Sequence, residues 1–106
     1  MVDTSFDPVR TALATGGTVT WKNEDQFGHD VTARMLTDAG AEWAFSSGTI
    51  GAGETTQYTF EEAGAYEYLC TIHGPDTMCG VILVGEPQYD ATLPCEGDGN
   101  PGGGVY

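Results

Sequence analysis

Tyr66-Glu67-Tyr68-Leu69-Cys70-Thr71-Ile72-His73-Gly74-Pro75-Asp76-Thr77-Met78-Cys79-Gly80-Val81-Ile82-Leu83-Val84 is the stretch on which the fold turns. Its first part alternates, placing Tyr66, Tyr68 and Cys70 on one face at the period of two that a strand imposes. Its last part, Val81 to Val84, is a continuous apolar run, consistent with a strand buried on both sides. Between the two strands a short loop carries a thiol, an imidazole and a thioether in the spacing Cys-x-x-His-x-x-x-x-Met.

The same punctuation extends outward. Thr18-Val19-Thr20-Trp21 alternates, with Val19 and Trp21 on one face. His29 to Ala33 alternates again, with Val31 and Ala33 on the face of His29. Thr55 to Phe60 offers Thr56, Tyr58 and Phe60 to one side. Gly16-Gly17, Gly51-Ala52-Gly53 and Ala63-Gly64 supply turns. No helical period competes, so the chain reads as an all-β sandwich or barrel. Two places stay open. Trp43 and Phe45 form a short strand or cover an open end of the core. Beyond Val84 the composition turns to Gly, Pro and acid, giving a domain over 1–84 and, over 85–106, either a flexible tail or a segment lying against the domain. Met35 reads as core filler.

At 106 residues the chain supports one core. No apolar run approaches the length of a bilayer span, which argues against direct membrane insertion. Sixteen carboxylates face only Arg10, Lys22 and Arg34, a formal net charge of −13. Phosphate recognition needs the opposite sign, so nucleic acid is not an expected partner. Such self-repulsion weakens the compact state and is screened by salt, as expected of an acidic protein from a halophilic source. Acidic pairs such as Glu24-Asp25 and Glu61-Glu62 read as solvated loop positions.

The loop needs one more donor, and the only other histidine is His29. Two histidines and one cysteine in a trigonal set, with a weak axial methionine, form a blue-copper electron-transfer site. With Cys70, His73, Met78 and the upstream His29 in this order, the chain resembles the cupredoxins, the small plastocyanin, amicyanin and halocyanin type, from about Thr18 to Val84. The acidity makes the halocyanins the nearest likeness. The resemblance implies a Greek-key β-sandwich and one type 1 copper ion ligated by His29, Cys70, His73 and Met78, with a weak approach by the Gly28 carbonyl. It implies electron transport between larger redox proteins by a monomer, with no catalytic residues of an enzyme.

Neighbouring positions follow the family residue by residue. Asp30 stands where cupredoxins usually have Asn, suited to accept hydrogen bonds from the Thr71 N–H and hydroxyl. Ile72 and Thr77 replace the common Pro and Gly of the loop, and Leu69 stands where plastocyanins have Tyr. An electron route through a tyrosine next to the cysteine is therefore not expected. The edge of His73, ringed by Phe27, Ile72 and Pro75, is the expected port for brief docking.

Rival readings draw on the same residues. Cys70, His73, Cys79 and His29 add up to a zinc-type tetrahedral set, and a copper-storage or copper-delivery module uses the same donors without a redox role. If Met78 faces the metal, however, period-two geometry turns Cys79 away. Multicopper oxidases and nitrite reductases need more histidines than the two present. With Cys70 set aside for copper, Cys79 and Cys95 form a disulfide or remain two free thiols. A bridge closes a loop of about 15 residues, worth about 3 kcal/mol by chain entropy, and implies an oxidising compartment. Met1-Val2-Asp3 opens without a basic, apolar leader. That fits a cytoplasmic protein or a mature domain; the resemblance favours a mature extracytoplasmic domain.

Overall fold

Period-two burial decides which face each strand turns inward. A computed structural model describes Phe6, residues 8–74 and residues 76–96. Among these residues the strands are β1 (Arg10–Leu13), β2 (Gly17–Lys22), β3 (Thr32–Ala33), β4 (Thr55–Phe60), β5 (Gly64–Leu69) and β6 (Cys79–Val84). One sheet has the order β1-β6-β5-β3, and β2 pairs with β4 in a second. A 3-10 turn at Pro94–Glu96 is the only helical element among the described residues.

The main core lies between the sheets. Trp21 from β2, Phe60 from β4, Tyr68 from β5 and Ile82 and Val84 from β6 meet there, with Val31, Ile50, Cys70 and Met78. Aromatic edges carry much of the packing. Tyr68 meets Trp21 edge-on at 5.4 Å and Phe6 at 4.8 Å between ring centroids, the arrangement that ring quadrupoles favour. Burial pushes the Tyr68 phenol up to about 12, so the ring stays neutral in the core. Gly80 lies opposite Tyr68 in the antiparallel β5–β6 register. A Cβ at that position would collide with the Tyr68 ring and hydroxyl, so only glycine lets the tyrosine lie flat across its neighbour.

The other faces of β5 and β6 are covered too. Ala65, Leu69, Cys79 and Val81 pack with Leu93 and, more loosely, with Leu36, Tyr89 and Cys95. This second layer explains why Val81 to Val84 has no polar alternation. Within it Glu67 is fully buried, yet it accepts N–H groups from Leu36 and Thr37 at 2.7 and 2.9 Å. The hydroxyls of Thr37 and Tyr89 add two donors, each at 2.5 Å. Four donors fill a carboxylate's acceptor sites and offset the cost of burying it.

Several expectations change in three dimensions. The alternation from His29 to Ala33 yields only Thr32–Ala33 as strand, with isolated bridges His29↔Ile50 and Thr32↔Ser46. Trp43 and Phe45 lie outside the strands and cover the core, with Trp43 Nε1 donating to the Glu67 carbonyl at 2.8 Å. Met35 is not core filler: it is 51 % exposed, because the strand stops at Ala33 and its inward period stops with it. β1 pairs in parallel with β6, an element that sequence pattern alone did not reveal.

The segment after β6 returns along the domain as far as Glu96. Cys79 and Cys95 are joined, with Cα atoms 5.8 Å apart. Beside the bridge, Arg10 donates to both carboxylate oxygens of Glu96, at 2.8 and 2.6 Å. The rest of the acidic tail, residues 97–106, lies outside the described residues. Removing the bridge with the paired change Cys79→Ser/Cys95→Ser should cost about 3 kcal/mol, the loop-closure value for this span. Urea unfolding of both forms at fixed metal loading measures it, since metal bound only to the folded state raises apparent stability. Equal midpoints at equal slopes would leave the bridge without a stabilising role.

Candidate metal centre

The end of β5 delivers Cys70 into the core, and the chain then curls back on itself. Gly74 N–H donates to the Cys70 carbonyl at 2.8 Å, and Met78 N–H donates to the Gly74 carbonyl at 2.9 Å. Cys70 N–H closes the loop onto the Met78 carbonyl at 3.0 Å. Gly74 makes the reversal with φ of +86°, the left-handed region that costs glycine no Cβ clash. Cys70 and Met78 therefore sit side by side in the buried cluster, while Cys79 turns to the opposite layer and its disulfide.

His29 arrives from another part of the chain. Its backbone exchanges hydrogen bonds with Ile50, His29 N–H at 3.2 Å and Ile50 N–H at 2.6 Å. The ring is buried, with Nδ1 3.9 Å from Cys70 Sγ. Its other nitrogen, Nε2, lies 2.6 Å from Asp25 Oδ2. The His73 ring centroid is 5.0 Å from that of His29. His73 Nε2 is buried with no hydrogen-bond partner.

Those features fit a soft cation. A buried polar atom without a partner costs about 1–3 kcal/mol, which a bond to a metal would remove. Imidazole and thiolate bonds of about 2.0 and 2.3 Å, opened to about 120°, put their donor atoms about 3.7 Å apart. The observed 3.9 Å between His29 Nδ1 and Cys70 Sγ is close to that spacing. The side chains are neighbours rather than a closed shell: no three His, Cys, Asp or Glu groups form a metal cluster among the described residues. Methionine, the fourth donor type of blue copper, lies outside that set. Cys70 is the free cysteine. With Cys79 in a disulfide, the two-cysteine, two-histidine zinc set is broken.

Asp30 ties the two parts together. Its carboxylate accepts the Thr71 N–H at 3.0 Å and the Thr71 hydroxyl at 2.6 Å. The Thr32 hydroxyl donates to it as well, at 2.9 Å. The Asp30 N–H points at Cys70 Sγ from 3.5 Å. Gly28, just before His29, is half-buried, and a Cβ there would meet the Thr49 methyl at 2.8 Å. Phe27 and Ile72 are 52 % and 53 % exposed, and the Phe27 ring stands 6.0 Å from that of His73. Pro75 lies outside the described residues.

Two contacts escaped the sequence reading. Asp25, taken for a solvated loop carboxylate, has a side chain only 10 % exposed and bound to His29. Asn23 is fully buried, with its amide donating to the Phe27 and Ile50 carbonyls at 2.9 and 2.8 Å. The four-residue step from Asp25 to His29 was the available signal, but it gains meaning only once the intervening turn is known.

Residues 2–85 match the model of copper-binding proteins of the plastocyanin/azurin family. A plastocyanin from Scenedesmus fuscus is 32 % identical over 83 residues, which is 74 % of this chain and 85 % of the relative. A halocyanin from Natronomonas pharaonis is 32 % identical over 82 residues, 76 % of this chain and 48 % of its own length. The match thus spans about half of that halocyanin. Among solved structures, a reduced Cu(I) amicyanin mutant superposes with a TM-score of 0.67 at 28 % identity, over 79 % of this chain and 76 % of its own. A purple cupredoxin from Nitrosopumilus maritimus gives 0.66 at 27 % identity, over 79 % and 85 %. The chain therefore belongs to the plastocyanin/azurin family of copper-binding proteins, with one type 1 copper ion.

Proposed function

We propose that this chain shuttles single electrons between larger redox proteins, with its copper held by His29, Cys70, His73 and Met78. The observation that carries the ligand assignment is the pairing of His29 Nδ1 with Cys70 Sγ at 3.9 Å beside the orphaned, buried Nε2 of His73. When bound, the metal supplies a reversible Cu(II)/Cu(I) couple. The protein supplies everything else. Cys70 would hold the metal as a thiolate, with the Asp30 N–H facing its sulfur. Met78, fixed by the loop's own backbone hydrogen bonds, would offer a soft thioether donor. The closed loop and the Asp30–Thr71 tie limit movement of the donors between oxidation states, and the buried surroundings exclude water. The Gly28 carbonyl would be a weak further donor.

Electrons enter and leave at the His73 edge, where the exposed Phe27 and Ile72 offer a small apolar patch for brief docking. The chain acts as a carrier rather than an enzyme, as a monomer outside the cytoplasm, where an oxidising milieu suits the Cys79–Cys95 bridge. Among the described residues no helix is long and apolar enough to cross a membrane. We take 1–84 as the domain and 85–106 as a C-terminal extension, within which Cys95 is joined to Cys79.

Adding Cu(II) to the metal-free chain should produce an intense visible thiolate-to-copper absorption that bleaches on reduction. Cys70→Ser should abolish it and Met35→Leu should leave it unchanged, read by absorption spectroscopy. Colour retained in the serine variant would refute the ligand assignment.

Asp30→Asn removes a negative charge beside the site while keeping an acceptor for Thr71. The potential should rise, because a nearby carboxylate favours the more positive Cu(II), and the ligand set should be preserved. Protein-film voltammetry with paramagnetic resonance of the oxidised form checks both parts. An unchanged potential would remove Asp30 from the electrostatics of the centre.

The charge of −13 further suggests a salt-loving source. Thermal melts at fixed copper loading should move upward from dilute buffer to molar salt as repulsion is screened. Salt-independent melting would refute the halophilic reading.

A further inference from the structure

A neutral imidazole binds a metal through one nitrogen only if its proton sits on the other, so something must choose the tautomer. In this chain the choice falls to a side chain. We propose that Asp25 is a positioning residue that holds His29 as the Nε2–H tautomer, with its Nδ1 lone pair turned toward Cys70 and the copper. The proposal rests on His29 being a ligand, and it adds to that reading the group that prepares it.

The geometry forms a chain of supports. His29 Nε2 lies 2.6 Å from Asp25 Oδ2, a short, charge-assisted contact in which an ionised carboxylate has only acceptor capacity. Facing that acceptor, Nε2 is the nitrogen that carries the proton in the proposed tautomer. Nδ1 faces Cys70 Sγ at 3.9 Å. Asp25 is itself placed by Asn23, whose Oδ1 accepts the Asp25 N–H at 2.8 Å. Asn23 is anchored in turn on both sides of the histidine, since its amide donates to the Phe27 and Ile50 carbonyls. The backbone of Ile50 bridges that of His29. One turn thus sets the depth of the ring through Ile50 and its rotation through Asp25. Carboxylate support of a ligating histidine also raises the basicity of its other nitrogen, and loss of such a partner costs about 10–100-fold in metal affinity.

The test combines a measurement without metal and one with it. In the metal-free full-length chain, nitrogen NMR of labelled histidine should show the His29 proton on Nε2 rather than on Nδ1. Asp25→Ala should give mixed tautomers, and the Cu(II) dissociation constant from competition with a chelator should rise about 10–100-fold. Asp25→Asn offers an amide carbonyl to the same N–H, so it should restore the tautomer and most of the affinity. Both substitutions keep the Asp25 N–H that closes the Asn23 turn, and Asp25→Asn keeps the reading decisive if the alanine form folds poorly. Glu24→Ala, which alters the exposed carboxylate next door, should match the parent. An unchanged tautomer in Asp25→Ala, or a proton on Nδ1 in the parent, would overturn the positioning role whatever copper does. A collapsed tautomer with unaltered copper affinity would also overturn it, whereas a copper affinity and colour unchanged in His29→Ala would overturn His29 as a ligand, so the two failures are separable.

Discussion

The carboxylate of Asp30 binds Thr71 twice, through its N–H and its hydroxyl, and the geometry of the metal end depends on that join. His29 and Cys70 lie far apart in sequence, and their donor atoms keep a fixed separation only if the turn carrying one is locked to the loop carrying the other. Asp30 supplies the lock from the position next to His29 and grips the position next to Cys70. Its own N–H faces the sulfur, so one residue fixes both the distance and part of the electrostatics. Such a join would suit the proposed ligands of a couple in which little should move when the electron does.

The rest of the sandwich keeps that join in place. Tyr68 and Trp21 close the core beneath Cys70, and Gly80 makes room for the tyrosine on β6. On the far face, buried Glu67 gathers the backbone of Leu36 and Thr37 and the hydroxyl of Tyr89. Burial first, and the neighbouring carboxylate next, push the Tyr89 phenol well above its usual value, so it remains a donor to Glu67. The Cys79–Cys95 bridge begins one residue after Met78. The same strand start therefore anchors the last donor of the loop on one face and the C-terminal segment on the other.

What the sequence made legible was local. Cys70, His73 and Met78 sit on one loop, so their spacing alone pointed to a metal centre, and period two placed Met78 and Cys79 in different layers, where they lie. The alternation of β2, β4 and β5 likewise fixed the inward faces without knowledge of any partner. The residues misread all depend on something distant. Asp25 looked solvated until the turn through Asn23 brought it onto His29. Met35 was read as core filler, as a lone methionine usually is, but it follows the end of β3 and is exposed. The parallel pairing of β1 with β6 rests on residues remote in sequence, and four residues of β1 carry too little pattern to announce it.

The arrangement is tested most directly by a crystal structure of the copper-loaded chain with anomalous data collected at the copper edge. A single copper peak should lie between His29 Nδ1 and Cys70 Sγ, with His73 and Met78 completing the shell and the Asp30–Thr71 contacts intact. A copper peak bound elsewhere on the acidic surface, or one reached only by breaking the Asp30–Thr71 join, would contradict it.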